Sequence, residues 1–85
     1  MENRSNFIKK LTYRSKYTGT RETDILLGDF VENYINNLND DELLAYQKLL
    51  DSGDPRIWRL SIDMETTNSE KEKLIIKMIK KYKGF

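Results

Sequence analysis

The chain has 85 residues, 34% of them charged and 38% hydrophobic, a formal net charge of +1, and neither Cys nor His. A chain of this length buries only roughly 60–65% of the surface its unfolded form exposes, so residues 1–85 read as a single domain with one modest core. The missing Cys and His exclude disulfide frameworks, thiolate and imidazole metal sites, and triads built on either residue.

Only one Pro and four Gly occur. Apolar residues recur at helical rather than strand spacing, which predicts helices joined by short turns. A first helix covers residues 5–16, with Phe7, Ile8 and Leu11 on one face, and stops before Thr18-Gly19. The second, over 21–38, carries the clearest buried stripe: Leu27, Phe30, Val31, Tyr34, Ile35 and Leu38. Asn39 caps a third helix, with Glu42 three positions on and Asp40 and Asp41 where the helix dipole favours negative charge. Its apolar positions are Leu43, Leu44, Tyr46, Leu49 and Leu50. In the next joint Gly53 suits a left-handed stop, Asp54 a cap and Pro55 a first helical position, opening a short fourth helix with Ile57, Trp58, Leu60 and Ile62. After a loop over 64–68, Ser69-x-x-Glu72 reads as a capping box for a last helix bearing Leu74, Ile75, Met78, Ile79 and Tyr82. The fold class expected is all-α, a compact five-helix bundle with residues 1–5 and 83–85 frayed. Trp58 and the tyrosines are expected in or at the edge of the core.

No apolar run approaches the roughly 18–20 residues of a membrane span. The N-terminus also lacks the apolar stretch of a secretory signal. Ten Lys against five Arg, with abundant Ile and Asn, read as codon bias of an AT-rich bacterial genome. A soluble bacterial cytoplasmic protein, without membrane insertion, is the resulting expectation. Charge is divided along the chain: residues 1–21 carry +5, residues 22–56 carry −7 and residues 57–85 carry +3. A dipolar molecule is expected, of the kind that steers toward a complementary surface.

Nothing resembles a phosphate-cradling loop, because Gly19 and Gly53 stand alone and Gly28 lies inside a helical pattern. Asp40 and Asp41 are accounted for by helix N-terminal electrostatics, and the C-terminal lysines by a solvated helix face. The connection between the first two helices is different. Residues 14–24 gather Arg14, Lys16, Arg21, Glu22 and Asp24 around Gly19, beside Tyr13 and Tyr17, which is more polar equipment than a turn requires. Such groups are presented rather than packed, and loops carry function disproportionately for that reason.

This stretch resembles the small succinate dehydrogenase assembly factors, or flavinators, of bacteria and mitochondria, whose hallmark is an Arg-Gly-x-x-Glu motif at the turn between helices one and two. Gly19-Thr20-Arg21-Glu22 reproduces the Gly-x-x-Glu part, and Asp24, Leu11-Thr12-Tyr13-Arg14-Ser15 and Ile25-Leu26-Leu27-Gly28-Asp29-Phe30 also look familial. So do the Asn39-Asp40-Asp41-Glu42 helix start, Tyr46-x-x-Leu49-Leu50 and the Asp54-Pro55 joint, in order across residues 8–80. Two positions depart. Thr18 stands where the motif has its leading Arg, leaving Arg14, Lys16 or Arg21 as substitutes, and Trp58-Arg59-Leu60 follows the Asp-Pro joint where the family often has an aromatic residue and then a Trp two positions later.

The resemblance implies a five-helix bundle that binds the flavoprotein subunit of succinate dehydrogenase, or of its fumarate reductase relative, and promotes covalent FAD attachment to a His of that subunit; a monomer is expected. The FAD would belong to the partner; no cofactor, metal or catalytic residue of its own is expected, and the chain would not be an enzyme. Gly19 would allow close backbone approach, Glu22 and Asp24 would meet partner cations, and Arg14, Lys16 and Arg21 would meet partner acids. The alternative is a small nucleic-acid-binding module using the basic N-terminal helix, with binding that falls steeply as salt rises.

Overall fold

A computed structural model describes residues 3–83; the fraying expected of residues 1, 2, 84 and 85 lies outside the described residues, as does the side chain of Tyr82. Five α-helices follow one another: α1 (Arg4–Lys16), α2 (Arg21–Tyr34), α3 (Asp40–Asp51), α4 (Asp54–Ser61) and α5 (Glu70–Lys83). Among the described residues there is no strand. The chain is an all-α bundle, as its periodicity predicts.

Local chemistry sets most helix starts. The Asn39 side chain accepts from the Glu42 amide while Glu42 accepts from the Asn39 amide, each at 2.8 Å, so two otherwise orphaned donors are satisfied reciprocally. Asn3 and Arg4, expected in a frayed end, form the cap and first residue of α1. The Asn3 side chain accepts from the Asn6 amide, and Arg4 donates to the Asp40 carboxylate and, at 2.5 Å, to the Leu38 carbonyl.

Three expected boundaries shift. The α-helix of the second segment ends at Tyr34 rather than 38, tightening into a 3-10 turn over Ile35–Asn37. That turn keeps Ile35 and Leu38 in the core while bringing Asn39 to the extended conformation a cap needs. At the fourth helix Gly53, not Asp54, is the N-cap, with φ +94° and ψ +151°, so Asp54 and Pro55 are the first two helical residues. At α5 only half of the expected capping box forms. The Glu72 amide donates to Ser69 Oγ at 3.2 Å, but the Ser69 amide donates to Thr67 Oγ1 because the Glu72 carboxylate is drawn away to Arg56.

One buried cluster draws on all five helices, from Leu11 of α1 to Ile75, Ile76 and Ile79 of α5. Phe30 and Tyr46 lie in it with ring centroids 5.7 Å apart, both fully buried. Ile76 belongs to this core although the expected stripe omitted it, whereas Leu44, Ile62 and Leu74 reach solvent. A wider apolar face is needed on α5 because it packs against α2, α3 and α4 at once.

The core contains a polar pair. Ser15 Oγ donates to the Leu11 carbonyl at 2.7 Å, which leaves the Tyr46 hydroxyl to donate to Ser15 Oγ at 2.6 Å. Burial pushes the Tyr46 phenol well above its ordinary range, so it stays a neutral donor. Each hydroxyl has a partner, which is the condition for burying one cheaply. Tyr46→Phe removes one bond and leaves Ser15 satisfied, so it should cost about 1 kcal/mol in urea denaturation. Tyr46→Ala empties the centre of the core and should cost about 3–5 kcal/mol.

The loop between α4 and α5 is fastened electrostatically. Arg56 donates to both Glu72 oxygens, at 2.6 and 3.1 Å, and to Glu65 at 2.9 Å, and Arg59 also donates to Glu65 at 2.9 Å. Hydrogen bonding from Arg56 holds the Glu72 carboxyl below its ordinary value, and bonding from Arg59 does the same first for Glu65. Because these folded-state values are depressed, the stabilisation is complete above the unfolded carboxylate value and is lost as pH falls through the folded ones. Denaturation midpoints should therefore drop on acidification below about pH 4.5. Arg56→Met should lower the midpoint at neutral pH and flatten that dependence.

Candidate functional site

The turn between α1 and α2 owes its shape to how closely the two helices lie. Gly28 is buried in the middle of α2, and a Cβ there would lie 3.5 Å from Cγ of Lys16. The Lys16 stem crosses α2 at this point, and its ammonium donates to Glu32, one turn further on, at 2.6 Å. Helix α1 thus ends hard against α2, and only Tyr17 to Thr20 remain to reverse the chain.

Gly19 makes that reversal at φ +116°, a conformation L side chains rarely adopt. Asp24, in the first turn of α2, fixes it from the other side: its Oδ1 accepts from the Thr18 amide at 2.5 Å and from Thr18 Oγ1 at 2.6 Å. Bonding from the Thr18 hydroxyl, then from its amide, lowers the Asp24 carboxyl below its ordinary value. Thr20 caps nothing with its side chain and instead donates to Thr23 Oγ1 at 2.9 Å.

The six residues singled out from the sequence therefore divide into two sets. Arg14 donates to Asp51 of α3 at 2.8 Å, Lys16 donates to Glu32, and Asp24 holds Thr18, so these three are engaged within the molecule. Gly19, Arg21 and Glu22 are exposed, and the side chains of Arg21 and Glu22 have no partner among the described residues. Thr18, where the motif has its leading Arg, thus closes the turn from inside instead of projecting a cation.

The basic first segment is not a free positive face. Arg4, Arg14 and Lys16 pair with Asp40, Asp51 and Glu32, across 36, 37 and 16 positions of sequence respectively. The charge blocks that made a dipolar molecule the expectation are folded onto one another.

Two residues at this end differ from their expected place. Tyr13 and Tyr17 are 67% and 68% exposed, with rings 4.8 Å apart and tilted by 37°. They point outward because each stands two positions past a buried residue of α1, Leu11 and Ser15, roughly 200° around a helix of 3.6 residues per turn. That signal was present in the sequence. The other half-buried groups beside the turn, Asp54 among them, come from the α3–α4 joint and carry no such signal.

Residues 9–83 match the family described as flavinator of succinate dehydrogenase, and the chain belongs to that family. It is 40% identical over 63 residues to the mitochondrial succinate dehydrogenase assembly factor 2 of Caenorhabditis elegans, covering 74% of this chain and 52% of that one. Against the protein of the same name in Dictyostelium discoideum it is 35% identical over 71 residues, 84% of this chain and 50% of that one. With assembly factor 2-A of Drosophila willistoni, also mitochondrial, identity is 30% over 76 residues, 87% of this chain and 48% of that one. The chain thus spans about half the length of these relatives. No solved structure matches it. The expected bacterial cytoplasmic setting is corrected by these relatives, which are named mitochondrial and come from eukaryotes.

The role of Asp24 can be separated from that of a partner contact. Asp24→Ala should speed hydrogen exchange at the Thr18 amide while leaving the protection of core amides in α2 and α3 unchanged, because only the turn loses its internal acceptor.

Proposed function

We propose that this chain is an assembly factor that binds the flavoprotein subunit of succinate dehydrogenase and promotes covalent attachment of FAD to it, without catalytic groups or a cofactor of its own. Family membership supports the class of partner. The single observation that carries the site is the turn itself: a reversal fixed from inside by Asp24, with Gly19 at its apex and Arg21 and Glu22 left unpaired beside it.

Such a factor works by binding. A rigid turn presses its backbone and two opposite charges against the flavoprotein and stabilises the conformation in which FAD and its acceptor side chain are well placed, so the bond-making chemistry stays with the flavin and the partner. Preorganisation matters because each group already held in its bound geometry spares the ordering cost of association. Arg21 and Glu22 are the two charges in this reading, with Gly19 between the helix ends where a side chain would obstruct approach. A nucleic-acid reading would use the basic face of α1, and three of its cations, Arg4, Arg14 and Lys16, are already paired with carboxylates of the same chain, which disfavours that reading.

Glu22 provides the test. As a helix-end charge alone, its replacement by Ala would cost about 0.3–1 kcal/mol of stability and leave association intact. As a central contact it should leave the helical spectrum unchanged and weaken flavoprotein binding by about 2 kcal/mol or more, since a desolvated partner cation is stranded. In cells lacking their own factor, Glu22→Ala should then fail to restore covalently flavinylated subunit, read as in-gel flavin fluorescence. Fluorescence restored to the level of the unaltered chain would overturn the assignment of Glu22.

A further inference from the structure

Beside the turn, a depression of about 220 Å³ separates the exposed tyrosines from the α3–α4 joint. Tyr13, Tyr17 and Arg14 form one bank; Leu50, Ile57 and Asp54 form the other. It is smaller than the roughly 300–1,000 Å³ of small-molecule sites, and suits one long side chain. It also adjoins the turn directly, since a Cβ on Gly19 would lie 3.5 Å from Asp54 Oδ2.

Three features of this depression bear on what it could hold. Two aromatic rings, tilted against each other, are left about two-thirds exposed at the end of a helix whose other face is packed. The Asp54 carboxylate, half-buried, has no hydrogen-bond or ion-pair partner among the described residues. Arg14, the other charged group in the wall, is already neutralised by Asp51 at 2.8 Å, so the local balance is one negative charge.

We infer that the depression between Tyr13, Tyr17 and Asp54 receives an arginine side chain from the partner, its guanidinium lying against tyrosine and donating to the Asp54 carboxylate. The aromatic faces carry negative quadrupole potential that attracts a cation within about 6 Å of a ring centroid. A planar guanidinium can stack and donate in a fork at the same time, which an ammonium cannot, and this selects arginine over lysine. Area points the same way: a stable interface takes about 800 Å² from each partner. The whole described surface is 5454 Å², so a partner centred on the turn must extend well past Gly19, Arg21 and Glu22, and the depression adjoins them.

The identity of the partner rests on the flavoprotein reading, but the site can be tested without it. Titration of the isotopically labelled protein with Nα-acetyl-arginine amide should give saturable amide shifts confined to Tyr17, Gly53 and Asp54, with a midpoint in the millimolar range. The neutral citrulline analogue should give none, and Asp54→Asn should abolish the response to arginine. Shifts that are absent, that are equal for citrulline, or that fall elsewhere would overturn the site.

Association with the flavoprotein subunit then separates the two ideas. Asp54→Asn and the double variant Tyr13→Ala/Tyr17→Ala, all at exposed or half-exposed positions, should each keep the helical spectrum and weaken binding roughly tenfold. If Glu22→Ala abolishes association while these variants bind like the unaltered chain, the arginine site falls and the flavoprotein reading stands. If the unaltered chain does not bind the subunit, that reading falls and the titration alone decides the site.

Discussion

The close contact of α1 with α2 at Gly28 is the constraint on which the rest of the molecule depends. A Cβ at Gly28 would already stand in van der Waals contact with the Lys16 stem, 3.5 Å from its Cγ, so the two helices lie side by side where α1 ends. Because that end is held, and because Ser15 one residue earlier is bonded to Tyr46 in the core, the chain has only four residues in which to turn back. A reversal so short requires a positive φ, which is why a glycine stands at its apex, and it brings Thr18 within reach of Asp24. The shape of the presented turn is thus a consequence of helix packing about two turns into α2.

Much of this was legible in the sequence because capping is local chemistry. Asn39 with Glu42 announces α3 within four residues, and the stripe from Leu27 to Leu38 survives even where the α-helix gives way to a 3-10 turn, since both geometries keep the same residues inward. The five helices followed from such signals, and the concentration of charge in residues 14–24 is plain in the sequence. What sequence could not give was which charges in that stretch are free. Arg14 meets Asp51 and Lys16 meets Glu32 only because three helices converge there, and a six-residue link such as Thr18 to Asp24 has no periodicity to betray it. At α5 the same limit appears as geometry. A helix contacting three others buries a broader face than its strongest stripe suggests, so Ile76 joins the core while Leu74 does not.

Electrostatics serve two different purposes in the two halves. Around α4 and α5, Arg56 binds two carboxylates in partly buried surroundings, with its own side chain 25% exposed and that of Glu72 14%, and closes a loop whose apolar residues Ile62 and Met64 are exposed. Around α1 the pairs are more exposed and individually weak, since most surface ion pairs contribute no more than about 1 kcal/mol. Their effect lies in arrangement: by occupying Arg14, Lys16 and Asp24 within the fold they leave a small, defined set of unpaired charges around Gly19. Specificity on the proposed reading would come from that subtraction as much as from the charges that remain.

Thr18 sharpens the point. An arginine at this position would be a long, mobile cation whose ordering must be paid during association, whereas threonine is short and is already bonded to Asp24 through both its amide and its hydroxyl. The turn consequently loses one projecting charge and gains rigidity. A partner that evolved to meet a cation here must find its counter-charge elsewhere, and Arg21, two residues beyond Gly19 with no partner among the described residues, is the nearest cation still free. Binding would then be centred slightly toward α2 on one side and toward the tyrosine-lined depression on the other, with Gly19 between them. The substitution is therefore best understood as a change in how the surface is held, in which a mobile contact is exchanged for a preorganised one.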